Sequence, residues 1–253
     1  HGATGEDGAL RDILALTGVP YVGATPDAAR LAWDKSIAKI LVREHGILTP
    51  PSVTLPKDIF RELDAESVLK AVGSSLSMPL VVKPARSGSA QGVTMVKKLD
   101  QLSRAMVDAY VYCDVAIVEK MVEGTELAIS VIDLGAGPIA LPAVEIEPLD
   151  GHFGYQERYT AGETNYYVPA RLSKSVAEKA AAMAIGAHTA LGLRHLSRID
   201  MIVDKKGTPW FLEANVLPGL TETSLLPQAV LAAKHSLGEV YHSLAEAALR
   251  GRG

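Results

Sequence analysis

Residues 195–227 read HLSRIDMIVDKKGTPWFLEANVLPGLTETSLLP. Two apolar runs, SRIDMIVD and TPWFLEAN, flank Lys205-Lys206-Gly207-Thr208, a turn-like tetrapeptide that predicts a β-hairpin. Side chains alternate along a strand, so Arg198, Asp200 and Ile202 share one face, as do Phe211, Glu213 and Asn215. A loop over Lys205–Thr208 sets Asp200 opposite Glu213 and Arg198 opposite Asn215. Two carboxylates facing each other across a ladder repel. A divalent cation removes the conflict: Asp, Glu and the Asn amide oxygen are the hard donors that hold Mg²⁺, commonly together with nucleotide phosphates. The plainer alternative is a solvated hairpin with a charged face. Against it stand Ile199, Met201, Val203, Trp210 and Leu212, which make the other face apolar.

The whole chain sets the bounds. Its 253 residues, 48% hydrophobic, are ample for a core and suit one large domain or two to three small ones. A net charge of −4, from 25 basic and 29 acidic residues interspersed, leaves no footprint for nucleic acid or anionic lipid. A single cysteine, Cys113, excludes an intramolecular disulfide framework and fits a reducing compartment. With neither a membrane-length apolar run nor a signal-peptide pattern, a cytoplasmic location is expected. The chain opens at HGATGEDG without methionine, as if entered in mid-motif, and a preceding segment is expected.

Outward from the hairpin, LRDILALTG predicts a helix that Asp7 caps and Gly18 ends, followed by a short strand at VPYVG. Glu6 and Asp7 in isolation read most simply as an acid pair at a helix start. DAARLAWDKSIAKILVREHG predicts one helix ending at Gly46, with Lys35 in its middle, where solvation is the simple reading. A proline-marked turn begins the stretch at 50–82, followed by a helix around Ala65–Val72 and the strand MPLVVKPA. Lys83 ends that nearly apolar strand, and a lysine so placed wants an anion. RSGSAQG then supplies a small loop able to offer N–H groups to phosphate oxygens. It is neither of the common Gly-rich phosphate fingerprints, and a ligand-free hairpin loop remains open.

A helix is expected over 100–112, and AIVEKMVEGTELAISVID predicts two strands parted at Glu123-Gly124-Thr125. Glu119 ends the first and Glu126 starts the second; each is either a solvated edge residue or part of a cleft that receives a nucleoside. LPAVEIEP is a further strand. GHFGYQERYTAGETNYYVPA is aperiodic, long and tyrosine-bearing, in the manner of an active-site lid. Ser175-Val-Ala-Glu178 reads as a capping box opening an alanine-rich helix to Leu191, within which His188 is most simply a packed or surface residue. NVLPGLTETSLLP leads into a helix at Thr223 or Ser224, an N-terminus suited to an anion, and GEVYHSLAEAAL closes the chain as an amphipathic helix. Zinc spacings and the G-x-S-x-G elbow are missing from the sequence.

Taken in order, HGATGEDG, Trp33-Asp34-Lys35, VVKPARSGSAQG, VEKMVEGTE, SRIDMIVD and EANVLPGLTETSLLP resemble the successive signatures of the D-alanine–D-alanine ligases, of the ATP-grasp superfamily, over essentially the full chain. The resemblance implies an α/β fold in which two sheets grip ATP between a central and a C-terminal subdomain. It divides the chain into residues 1–34 (the remainder of an N-terminal α/β subdomain), 35–119 (central) and 120–253 (C-terminal, with a mobile ω-loop at about 150–169). It assigns Asp200, Glu213 and Asn215 to two Mg²⁺ or Mn²⁺ ions, and Lys35 and Lys83 to ATP phosphates. Ser87, Gly88 and Ser89 cover the phosphates, with Ser89 reaching the substrate side. Glu119 reads the adenine amino group, Lys120, Met121 and Val122 run along the base, Leu212 lines the nucleotide, and Glu126 takes the ribose hydroxyls. Arg198 and the N–H of Gly219 stabilise the oxyanion, Ser224 and Leu225 hold the carboxylate of the second amino acid, and Tyr159 completes the site from the ω-loop. Glu6 joins the catalytic set and Arg158 the nucleotide contacts.

The implied reaction joins two D-alanines through an acylphosphate, releasing ADP and phosphate, for peptidoglycan precursors, in a homodimer with no nucleic-acid or membrane partner. Three departures bear on it. The family's upstream strand and Gly-rich turn, with a glutamate for the first ammonium, would precede His1. Arg158 stands for the usual lysine and keeps charge without geometry. Ala90-Gln91 replaces a small-serine/valine pair, and Phe153-Gly154 thins the lid. The alternatives are a ligase joining D-alanine to D-serine or D-lactate, a specialised dipeptide ligase, a non-catalytic ATP-binding module and a calcium-holding hairpin.

Overall fold

The structure, a computed structural model, describes residues 3–148 and 164–251. Contacts within the chain group it into two compact units: His1–Thr49, Glu123–Glu147 and Asn165–Gly253 form unit 1, and Pro50–Val122 with Pro148–Thr164 form unit 2. Arg158, Tyr159, Phe153-Gly154 and most of the expected lid lie outside the described residues.

Unit 1 begins with four helices, α1 (Ala3–Glu6), α2 (Ala9–Leu16), α3 (Pro26–Trp33) and α4 (Lys35–Glu44). Asp7 does accept from the N–H of Ala9 at 2.8 Å, and Gly18 and Gly46 follow the helix ends as expected. VPYVG is not a strand but an irregular link. It joins neither sheet; Arg194 lies 5.0 Å over the Tyr21 ring and donates to the Gly23 carbonyl at 2.8 Å. The single helix expected over 27–46 is two. Asp34 leaves the helical region (φ −85°, ψ 102°), and its carboxylate takes the N–H groups of Ser36 (3.0 Å) and Ile37 (3.3 Å). An aspartate in this role starts a new helix rather than continuing an old one, and Lys35 becomes a first-turn residue.

Unit 2 carries strands β1 (Ser52–Pro56) and β2 (Leu80–Pro84), helices α5 (Ile59–Glu62) and α6 (Ala65–Leu76), strand β3 (Thr94–Val96), helix α7 (Leu102–Tyr110) and strand β4 (Val115–Lys120). β1 was legible only as a turn, because three prolines crowd Pro50–Pro56; it is tolerated as an edge strand of the sheet β1-β4-β2-β3. Leu80, Val82, Val96, Ala116 and Val118 pack on Leu102, Ala105, Met106 and Ala109 of α7 to make this unit's core.

The remaining strands, β5 (Gly124–Ile132), β6 (Ile139–Ala140), β7 (Val144–Pro148), β8 (Thr164–Tyr167), β9 (Leu196–Asp204) and β10 (Pro209–Asn215), make a sheet ordered β10-β9-β5-β7-β8, with β6 on β5. Helices α8 (Lys174–Ala190), α9 (Leu225–Ala232) and α10 (Leu237–Arg250) accompany it. α8 is capped by Ser173, whose hydroxyl accepts from Val176, two residues before the expected Ser175 box. Its Ala180, Ala184 and Ala187 join Ala28, Ala29 and Ala32 of α3 and Ala38 and Val42 of α4 against Leu127, Ile129, Ile199, Met201, Val203 and Phe211. Alanines let these helices lie close on one face of the sheet. At its β7–β8 end, Arg171 bonds Glu145 and Glu147 and stacks 3.6 Å over Tyr167.

The hairpin itself holds the expected pairs for an unexpected reason. Pro209, Trp210 and Phe211 oppose Val203, Ile202 and Met201, one residue out of the expected register. Asp204 widens the loop by accepting from Lys206 and Thr208, both at 2.9 Å. A bulge between Phe211 and Glu213 then restores the register, and Glu213 faces Asp200 while Asn215 faces Arg198. The bulge also corrects one face: Phe211, fully buried, joins the core with Met201 and Ala214 and does not share the side of Glu213. Leu212 is the extra, half-buried residue.

Candidate active site

Pairing across unit 1's sheet builds the site row by row. Ala128, Asp200 and Glu213 form one row across β5, β9 and β10; Ser130, Arg198 and Asn215 form the next; Glu126 and Ile202 form the one before. All lie on the face opposite the alanine-lined core. Arg198 spans its own strand to Asp200 with two parallel bonds, Nε to Oδ1 and Nη2 to Oδ2, both 2.7 Å. Both side chains are buried. Burial pulls the Arg198 pKa down, but the charge and hydrogen bonds of Asp200, then the charges of Glu213 and Glu6, outweigh it, and the net shift is upward. The guanidinium is a fixed cation.

Glu213 meets the Lys35 ammonium at 3.2 Å. Lys35 is buried, contrary to the solvated reading. Glu6 is likewise buried, and it ends α1 rather than starting a helix. Arg11 steadies that region by donating to the carbonyls of Gly5 and, at 3.3 Å, Val216. Asn215 accepts from the N–H of Leu217 at 2.9 Å, which fixes its amide and starts the loop to Gly219. Ser224 caps α9 from backbone geometry while its hydroxyl bonds Thr221 at 2.7 Å, and Leu225 opens the helix. Three carboxylates thus gather around two cations. Opposed carboxylates with an adjacent amide oxygen are a donor set that fits a hard divalent ion. Among the described residues no cluster of three or more His, Cys, Asp or Glu side chains is arranged to hold a metal.

Unit 2 carries a second set. Lys83 pairs with Ile117 and Glu119 with Val81, so the two charged side chains are diagonal neighbours; ammonium and carboxylate meet at 2.7 Å, both buried. The anion that a buried lysine requires is therefore Glu119, which is no solvated edge residue. In the loop over 87–92, Ser89 and Ala90 adopt left-handed backbone (φ 55° and 58°), a strain that non-glycine residues rarely bear. Gly92 follows at φ 70°, where a Cβ would come within 2.6 Å of Tyr112 and 2.8 Å of Pro84. Ser87 and Gly88 are half-buried beside it. Lys120 and Met121 donate backbone N–H groups to Pro51 and Pro79, holding the strand that leads to Val122.

Residues 41–246 match the family described as D-ala D-ala ligase C-terminus. The D-alanine–D-alanine ligase of Bordetella petrii is 37% identical over 244 residues, covering 96% of this chain and 72% of that protein. The chain belongs to the D-alanine–D-alanine ligase family. That of Pelotomaculum thermopropionicum is 34% identical over 253 residues, covering all of this chain and 79% of the relative. Among solved structures, VanG D-Ala:D-Ser ligase from Enterococcus faecalis superposes with a TM-score of 0.85 at 32% identity, over 98% of this chain and 71% of the other. The D-alanine–D-alanine ligase of Bacillus anthracis complexed with ATP gives 0.80 at 29%, over 100% and 77%. The fold is therefore ATP-grasp, and the protein is a ligase. Among the described residues no helix is long and apolar enough to cross a membrane.

Within this family frame, the sequence reading missed the break at Asp34, the bulge at Leu212 and the burial of Lys39, one turn beyond Lys35 and 1% exposed. The first carried a signal: an aspartate inside a helical apolar pattern, with a serine two residues on, is a capping residue before it is a helical one. The other two carried none.

Proposed function

We propose that this ligase joins two D-alanines at the expense of ATP, in the cytoplasm and as a homodimer, with one set of its residues on the sheet face of unit 1 and another set on β2, β4 and the loop over 87–92 of unit 2. The observation that carries the reading is Asp200 facing Glu213 with Asn215 and Arg198 in the adjacent row. Those two carboxylates and the amide oxygen hold Mg²⁺, or Mn²⁺ in its place. When bound, the metal neutralises phosphate oxygens and makes the γ-phosphorus easier to attack.

The residues divide the remaining work. Lys35 and Lys83 neutralise phosphates, Ser87, Gly88 and Ser89 cover them, and Arg158 adds a nucleotide contact. Glu119, Lys120, Met121, Val122 and Leu212 take the base, and Glu126 takes the ribose. A carboxylate oxygen of the first D-alanine bonds to the γ-phosphorus as the bond to the ADP oxygen breaks. The amine of the second, held through its carboxylate by Ser224 and Leu225, then bonds to the acyl carbon. Charge collects on the former carbonyl oxygen, where the fixed cation of Arg198 and the N–H of Gly219 stabilise it before the carbon–oxygen bond breaks and phosphate leaves as hydrogen phosphate, carrying the proton that the amine gives up. Glu6 and Tyr159 orient the substrates, and excluding water protects the acylphosphate.

The likeness to a D-Ala:D-Ser ligase gives the second reading, in which D-serine is the acceptor. Tyr159, which in the family pattern accompanies D-alanine, favours the first. Incubation with ATP, Mg²⁺ and D-alanine, alone or with D-serine or D-lactate, decides between them when dipeptide and phosphate are measured together. D-alanyl-D-alanine should form in step with phosphate and dominate the mixtures. A mixed product in excess would reassign the acceptor, and ATP binding without any product would remove the catalytic reading.

A further inference from the structure

Lys35 occupies a place that helix energetics disfavour. The first turn of an α-helix presents unpaired N–H groups and the positive end of the helix dipole, so a cation there is opposed. The ammonium is also buried, at 6% exposure, which adds a desolvation cost. Two features of the chain offset these costs. Glu213 meets the ammonium at 3.2 Å, and the immediately preceding carboxylate, Asp34, lies over the same helix end. Asp34 breaks α3 from α4, accepts from the N–H of Ser36 at 3.0 Å and of Ile37 at 3.3 Å, and bonds the Ser36 hydroxyl. Its own carbonyl accepts from Ala38 at 2.8 Å, the first bond of α4. Trp33, the last residue of α3, puts its ring 6.0 Å from the ammonium on the other side of the break. Without Asp34, the two helices would have no residue that both stops one and starts the next, and the direction of the Lys35 side chain would lose its reference.

We infer that Asp34 is a positioning residue for Lys35: by capping α4 it sets the first turn from which the ammonium reaches the site, and so controls nucleotide affinity without touching the nucleotide. The inference rests on the phosphate role proposed for Lys35. Its form can be separated from a general contribution to stability, because the cap needs a side-chain acceptor and not a charge. Asparagine supplies that acceptor and alanine does not.

The test is a titration of the full chain with ATP and Mg²⁺ by calorimetry, for the natural protein, Asp34→Ala, Asp34→Asn, Lys35→Ala and the double variant Asp34→Ala/Lys35→Ala. Thermal unfolding of each serves as a check on folding, and KM for D-alanine at saturating ATP is the second readout. Asp34→Ala is expected to weaken ATP binding about fivefold, the usual worth of a helix cap, with KM for D-alanine changed less than about twofold. Asp34→Asn should restore most of the affinity. On the Lys35→Ala background the alanine at 34 should add less than about twofold, since its route of action is gone. An equal loss on both backgrounds, or an asparagine variant as weak as alanine, overturns the positioning role alone. Unchanged ATP affinity in Lys35→Ala overturns the phosphate role of Lys35, and the inference falls with it.

Discussion

Arg198 and Asp200 set the electrostatic character of the site at the scale of single residues. Their two 2.7 Å bonds keep one cation and one carboxylate two residues apart on a strand. Lys35 and Glu213 repeat the motif across elements at 3.2 Å. Chemistry of this kind was legible: residue type and strand alternation alone pointed to Asp200, Glu213 and Asn215. What was not legible was burial. Lys35 read as solvated from its own neighbours in sequence, Glu6 as one of a helix-start acid pair and Glu119 as either a solvated edge residue or part of a cleft, because what covers a charged side chain comes from distant segments. His188, which the sequence left as either packed or on the surface, is packed, 2% exposed and 2.8 Å from the Ser197 hydroxyl. Burial lowers its pKa from 6.5 to about 4. A depressed histidine favours folding while neutral, so its contribution is whole above about pH 6.5 and is lost as the pH falls towards 4. Between pH 6.5 and 5 that loss is about 2 kcal/mol. Thermal unfolding across this range should show a smaller fall for His188→Gln than for the natural protein; parallel curves would contradict it.

Among the elements, the hairpin of β9 and β10 shows how a correct pairing can have an unforeseen cause. A loop one residue longer and a bulge one residue wide cancel, so Asp200 still meets Glu213. No local pattern distinguishes the extra Leu212 from its neighbours. The break between α3 and α4 differs, since Asp34 announced it by type. β1 was hidden by prolines, and the strand expected at VPYVG was suggested by β-branched residues that nothing pairs with. Close approach imposes its own demands. Gly124, the first residue of β5, lies opposite Asp204, and a Cβ there would come within 2.0 Å of the Val203 carbonyl oxygen. That atom is backbone inside a ladder and cannot swing aside. Gly124→Ala should therefore cost about 1–3 kcal/mol, the range for overpacking, and lower Tm by several degrees. A variant melting with the natural protein would show that the ladder accommodates a methyl group.

For the molecule as a whole, composition left no footprint pointing to nucleic acid or anionic lipid, and six short signatures in order carried the family, which the similarity to relatives then established. The two-unit division follows contacts that sequence order does not show, since unit 1 is assembled from three separate stretches. Each unit holds a buried lysine paired with a carboxylate, Lys35 with the part-exposed Glu213 and Lys83 with the buried Glu119. Everything proposed for the reaction depends on Asp200, Glu213 and Asn215 accepting a divalent ion with the nucleotide. Mn²⁺ reports this directly, because its free form gives a resonance signal that binding removes. Titrated with Mn²⁺ in the presence of ADP, the natural protein should take up the ion, while Glu213→Ala, melting within a few degrees of it, should bind at least about tenfold more weakly. Equal uptake by the two proteins would place the ion elsewhere and contradict the site.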